Sequence, residues 1–473
     1  METDTDVKDS INTSLPDPRT AEWPTITEWL KSEFTPKALN CEFSETITNF
    51  LFETICRTLN HFNWYNCLEP ATVADTLTET LKALRLYITN EKVAIYLLEL
   101  PDFYVTMDLL MKCLFTKRNG PEVHTKYLLQ FFLNMLSSGD AHQKMYAKEK
   151  IKRHELFKNI QLIFCNEFGH LYEASALVYN LLSDSEIDDP ELIGHIVMYY
   201  SDNYKTNEFL GFLVENIIFG SYMWNNYAMM PTDVRVSLLS SMRDILMCPP
   251  TIEESGEPYE GRKLPDICLN ALAKMLQESH TVVFQVAESG IFSEEEVSRI
   301  LELLAHLSSD DKYLPFLQND KNLLINAGVL LINAHRLGKQ KNNVFSPVQK
   351  LSEIQMPGDE LRRNPVFGFK ADLVRLIGNL CWKNKKMQDL AREAELIPVL
   401  LDCCNMDAKN PFIIQWAILA IRNLCEQNNE NQTIISSLTQ RGVVSSEILE
   451  EFGLTLHTEE SISIGMINLD LNK

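Results

Sequence analysis

The residues that interrupt helices are scarce: 17 glycines and 19 prolines in 473 positions exclude a collagen-like or Pro/Gly-rich low-complexity chain. Basic charge is also in deficit. Lys and Arg total 43 against 65 Asp and Glu, a formal net charge of -22, so long-range attraction to phosphate backbones or anionic lipid is not what the chain is built for. No apolar run reaches the roughly 18 residues that cross a bilayer. The opening METDTDVKDS has neither a positive n-region nor an apolar h-region. The expectation is a soluble, unsecreted, cytoplasmic chain whose partners are other proteins, with neither nucleic acid nor membrane insertion.

Eleven cysteines contain no CxxC pair, and the closest two are the neighbours Cys403 and Cys404. They read as free thiols of a reducing compartment, used as small apolar filler, with a redox role for the Cys403 and Cys404 pair as the sharper alternative. The sequon at Asn431 to Thr433 carries no meaning without a secretion signal. Phosphate-loop, dinucleotide, nucleophile-elbow and HExxH patterns are missing, and the ten histidines have no metal-ligand spacing. The sequence therefore names no catalytic residue, no metal and no cofactor. An enzyme assembled from distant residues would need a deep polar pocket, which a stack of helical repeats seldom supplies.

What is present is repetition. LIGNLCWKNKKMQDL (Leu376 to Leu390) returns 44 residues later within AIRNLCEQNNENQTII (Ala420 to Ile435): Ile377, Asn379, Leu380, Cys381, Asn384 and Gln388 match Ile421, Asn423, Leu424, Cys425, Asn428 and Gln432. Leu373, Leu376, Ile377, Leu380 and Cys381 form one helical stripe; Ile397, Leu400, Leu401 and Cys404 form the next. Asn410 is the expected N-cap of a third helix, with Pro411 at its first position and Ile413, Trp416, Ala417, Ala420, Ile421 and Leu424 on its apolar face. An Asn followed by Gln nine residues on occurs again at Asn134 and Gln143, while Asn180 and Asn333 keep the Asn alone. Intervals of 46 from Asn134 to Asn180 and from Asn333 to Asn379 fall within the ~40 to 47 residue period of helical repeats.

The fold class expected is all-α, an armadillo-like α-solenoid of stacked helical repeats. Polar interruptions divide it into an acidic tail (1–20), N-terminal repeats (21–247), a loop or hinge (248–265), central repeats (266–337), an exposed insertion (338–365), a C-terminal repeat domain (366–457) and a tail (458–473). Ser346 before Pro347 is a minimal phosphoacceptor in the insertion. The basic stretch from Lys144 to Lys158 reads first as a solvated helix face. Asparagine is a mediocre helix former, so its recurrence inside apolar stripes needs a cause. Buried amides must find partners. One account is a hydrogen bond to a neighbouring repeat; the other makes Asn379 and Asn423 adjacent partner-binding rungs of a groove lined by third helices.

WAILAIRNLCEQNNENQTI, with the preceding LIPVLLDCC, resembles the third and second helices of armadillo repeats. The stretch from Asn364 to Gln432 resembles the C-terminal domain of the ataxin-10 family, in the order of its features from FGFK to FGLTLH (Phe452 to His457). The acidic N-terminus departs from the proline-rich start of vertebrate members. The resemblance implies a non-catalytic cytoplasmic scaffold in a family linked to neuronal survival, neurite outgrowth and cell division. It also implies partners such as a G-protein β subunit and the O-linked N-acetylglucosamine transferase; a homo-oligomer is compatible with the sequence. The rival is an importin-like carrier of basic peptides. Such carriers resemble one another in a Trp four residues before each ladder Asn, where this chain has Gln130, Ala176, Val329, Arg375 and Leu419.

Overall fold

A computed structural model describes residues 11–61, 71–116, 122–165, 170–203, 205–247, 262–283, 293–340, 343–348 and 364–437. The expected tail (458–473), residues 1–10 of the acidic tail, 248–261 of the loop, 349–363 of the insertion and 438–457 of the C-terminal repeat domain lie outside the described residues. The described chain is helix throughout, without strands, and divides into two compact units, Met1–Tyr222 and Met223–Lys473.

The first unit contains α1 (Trp23–Trp29), α2 (Glu45–His61), α3 (Ala71–Tyr87), α4 (Glu91–Glu99), α5 (Phe103–Thr116), α6 (Glu122–Ser137), α7 (Ala141–Lys152), α8 (Glu155–Cys165), α9 (Leu171–Leu182), α10 (Pro190–Asn203) and α11 (Glu208–Ile218). Triplets repeat here. Each third helix packs on the next, α3 on α6, α6 on α9 and α9 on α11, while second helices α2, α5, α8 and α10 form a parallel row and α4 meets α7. This is the armadillo-like arrangement, since a repeat that contacts its neighbours at every helix buries a continuous core.

The second unit contains α12 (Thr232–Met247), α13 (Asp266–Glu278), α14 (Glu294–Leu307), α15 (Lys321–Gly338), α16 (Phe369–Leu380), α17 (Lys385–Glu393), α18 (Leu396–Asp402), α19 (Ile413–Cys425) and α20 (Asn429–Ser437). Its third helices are α12, α14, α16 and α19, and its second helices α13, α15 and α18. Local sequence sets the starts. Ser293 and Glu296 form a reciprocal capping box on α14, three glutamates occupy its first turn, and Asn384 caps α17 through Met387 N–H.

The 44-residue repeat extends to the backbone. Gly368 and Phe412, 44 apart, stand before α16 and α19 with φ of 81° and 62°; Lys383 and Gln427, also 44 apart, have φ of 50° and 55°. The helices α16 and α19 approach so closely that a Cβ on Gly378 would lie 2.9 Å from Ala420 Cα, and glycine is therefore required there.

Three expectations change. Asn410 does not cap the helix that follows it: α19 begins after Phe412, and Asn410 Oδ1 instead accepts Lys370 N–H (2.8 Å) and Ala371 N–H (3.2 Å), capping α16 from 40 residues away. Pro411 accordingly lies before the helix. Asn333 lies on the second helix α15, not on a third helix. The third helix before α16 is α14, with His306 on it beside Ala305, whose carbonyl Asn379 reaches. Finally, the insertion joins the second helix α15 to the third helix α16 within one repeat, rather than separating repeats. Part of it is docked: Phe345 is buried against Phe369, Val348 O accepts Ala408 N–H (2.7 Å), and Val348 N–H reaches Asp407 Oδ1 (3.2 Å). Beneath this segment, Lys370 and Asp407 form a buried ion pair at 2.8 Å.

Candidate functional site

The ladder asparagines are placed by their third helices, and each looks backward along the row. Asn423 on α19 donates to Gly378 O on α16 at 2.9 Å; Asn379 on α16 donates to Ser308 Oγ at 3.0 Å and Ala305 O at 3.4 Å; Asn134 on α6 donates to Arg85 O on α3 at 2.6 Å. Asn379 and Asn423 are 8% and 4% exposed, so their amides are engaged inside the stack. Asn180 differs, bonding Ala176 O of its own helix. The paired glutamines close the following turn: Gln388 donates to Cys381 O (3.2 Å) and Asn423 O (2.9 Å), and Gln432 donates to Cys425 O (2.8 Å). Gln143, by contrast, takes part in the capping box of α7 with Asp140.

Beside this ladder, the third-helix surface of the second unit opens into a cleft of about 590 Å³. Helix α16 presents Asp372 and Arg375 to it, three residues apart and hence on one face. From α14 come Arg299 and Glu302, from α12 Arg243, and from α19 Trp416, with Phe412 at the mouth. Phe412 is 69% exposed and held in left-handed backbone, a conformation that costs a residue with Cβ roughly 1–2 kcal/mol. Such a residue at a cleft mouth suggests a use for its exposed ring.

The charges of the cleft divide unequally. Glu302 is held by two guanidinium groups, Arg243 Nε at 2.6 Å and Arg299 Nη1 at 3.1 Å. Arg375 lies 4.7 Å above the Trp416 ring and donates to Ser309 Oγ at 2.8 Å. Burial, reinforced by the nearby Glu302 charge, pushes the Asp372 carboxyl up to about 7 despite Arg375 and Arg243. Burial lowers the neighbouring His306, and the Arg375 charge adds to that.

The guanidinium-on-aromatic contact is repeated in the first unit, where Arg85 lies 4.7 Å above Tyr127. Tyr127 stands seven residues before Asn134 as Trp416 stands seven before Asn423. That shared offset was the available sequence signal for Trp416, although nothing local pairs it with Arg375, 41 residues earlier. No group of His, Cys, Asp and Glu among the described residues could hold a metal. The Cys403 thiol is pushed up to about 12 by burial, and Cys404 is also raised; both are held protonated and poorly nucleophilic. No described helix is long and apolar enough to cross a membrane.

Comparison with known proteins places a family match on the chain from the start of α16 onward. Residues 369–467 match a family described as the spinocerebellar ataxia type 10 protein domain. The chain is 38% identical to Ataxin-10 of Xenopus tropicalis over 186 residues, 39% of this chain and 37% of the relative. It is 35% identical to human Ataxin-10 over 204 residues, 42% of each chain. The matches thus span about two fifths of the length of these curated relatives. A solved structure of SYS-1 aligns over 89% of this chain and 75% of its own, with a TM-score of 0.34 and 13% identity.

Proposed function

From a chain that belongs to the ataxin-10 family through its C-terminal repeats, we propose a non-catalytic scaffold that docks other proteins on the third-helix surface of its second unit. The observation that carries this reading is the cleft with an exposed Phe412 in left-handed backbone beside Trp416. An aromatic ring kept in water at a conformational cost is suited to anchoring a partner. The importin-like alternative is disfavoured by Arg375, whose charge repels a basic segment where carriers resemble one another in a tryptophan.

The finer roles follow the resemblance: a cytoplasmic location, participation in neurite outgrowth and cell division, and binding of a G-protein β subunit or the O-linked N-acetylglucosamine transferase. Asn379 and Asn423 enter as partner-binding residues on the condition that a partner competes with Ser308 and Gly378 for their amides. The domain limits drawn from the sequence belong to the same proposal. The test is capture of either partner by wild-type chain and by Phe412→Ser. Loss of capture with an unchanged melting temperature supports docking in the cleft, and full retention sinks it.

A further inference from the structure

We infer that the cleft receives an acidic segment of the partner protein, one carboxylate of which is gripped by Arg375 above the Trp416 indole. The inference rests on the docking reading and adds the chemistry of what docks. Arginine offers five N–H donors in a planar fork suited to two parallel bonds with a carboxylate. Arg375 uses one bond, from Nη2 to Ser309 Oγ, its Nε is buried out of a ligand's reach, and no described carboxylate lies within ion-pair distance, so the Nη1 end of the fork is what it offers to a ligand. The other two guanidinium groups of the cleft already share Glu302. Trp416 packs against the third, whose guanidinium carbon lies 4.7 Å from the ring centroid, and this contact restricts the side chain, so less entropy is lost on binding.

The charge balance selects the sign of the ligand. Three arginines face two carboxylates, and Asp372, with its proton affinity raised to about 7, is partly neutral near physiological pH. The cleft is therefore cationic on a chain of net charge -22. At physiological ionic strength, charges farther than about 8 Å are screened, so a carboxylate responds mainly to the arginines beside it. A nucleic acid would need many phosphates neutralised along its length, whereas the cleft has a single guanidinium without a carboxylate partner. A short acidic protein segment with an apolar residue for Phe412 fits the arrangement.

The experiment uses the full chain and a fluorescein-labelled peptide, Gly-Ser-Asp-Leu-Glu-Phe-Asp-Ser-Gly, followed by fluorescence anisotropy. Controls replace its acids by Asn and Gln, or by Lys, and a dT10 oligonucleotide supplies the phosphate arm. The expected result is binding about tenfold tighter for the acidic peptide than for its amide analogue, the loss of one charge-assisted pair. Arg375→Gln should remove that preference with an unchanged melt, Arg375→Lys should retain part of it, and Asp372→Asn should tighten binding. Equal binding of acidic and amide peptides, tighter binding of the lysine peptide or the oligonucleotide, or an acidic preference that survives in Arg375→Gln would each overturn the inference. If the acidic peptide fails while Phe412→Ser still loses a protein partner, the carboxylate inference falls and the docking reading stands.

Discussion

Asn423 and Arg375 illustrate how residues on equivalent third helices acquire different work. Asn423 donates to Gly378 O within a close helix contact, so Asn423→Ala removes a bond and leaves a buried carbonyl unpaired. The expected loss is about 1–3 kcal/mol, measured by chemical denaturation. If affinity for a partner survives in the folded fraction, the amide serves the stack alone. Asp372 yields the pH prediction. Its carboxyl rises from an ordinary value of 3.8 to about 7 in the folded chain, so the folded state holds the proton more tightly than the unfolded state does. Stability should fall as pH climbs from about 4 to 7. Asp372→Asn should flatten that slope in melts taken across the range. Glu302, Arg299 and His306 on α14, Arg243 on α12 and Arg375 on its own helix remain in that variant, and His306, whose proton affinity burial lowers, contributes a slope of the opposite sign, stability rising with pH.

Helix α16 is held at its first turn by residues outside it. Asn410 caps it, Lys409 O accepts Gly368 N–H at 2.8 Å, and Asp407 pairs with Lys370 while accepting from Val348 N–H, Lys409 N–H and Asn410 Nδ2. One turn thus fastens three pieces of chain: the start of α16, the docked part of the insertion, and the approach to α19. Asp407→Ala leaves a buried ammonium without its carboxylate, and such breaks cost about 3–5 kcal/mol. Asn410→Ala should cost less, about 1–2 kcal/mol, as loss of a cap. Denaturant titrations of the two variants check the order. The opposite ranking would mean that the capping bonds, not the ion pair, hold the turn.

For the whole molecule, the expected solution signature is a helical circular dichroism spectrum, and a β-dominated one would contradict the fold. Within the second unit, α16 packs against α14, α15 and α19, and nearly all of its residues are buried. The nearest-neighbour energetics of repeats then place its amides among the slowest to exchange in that unit. Hydrogen exchange should find them protected longer than those of α20, whose only buried residue is Asn431. Faster exchange in α16 than in α20 would show that the repeats do not share stability in this way.

The sequence alone determined the helical class, the 44-residue unit and the matched turns, because apolar periodicity and repeat register are properties of short stretches. The positive-φ pairs Gly368 with Phe412 and Lys383 with Gln427 show the same register in the backbone. The tertiary structure decided what could not be local. Asn410 caps a helix 40 residues earlier instead of the next one, because the N–H groups it satisfies reach it only once α16 and the turn at Asp407 have met. Asn333 drops out of the ladder because the insertion lengthens the connection between α15 and α16, so constant spacing no longer means equivalent position. The cleft is the clearest case. Arg375 and Trp416 lie on separate helices, and only stacking of those helices brings a guanidinium onto an indole while leaving its fork free of any described carboxylate.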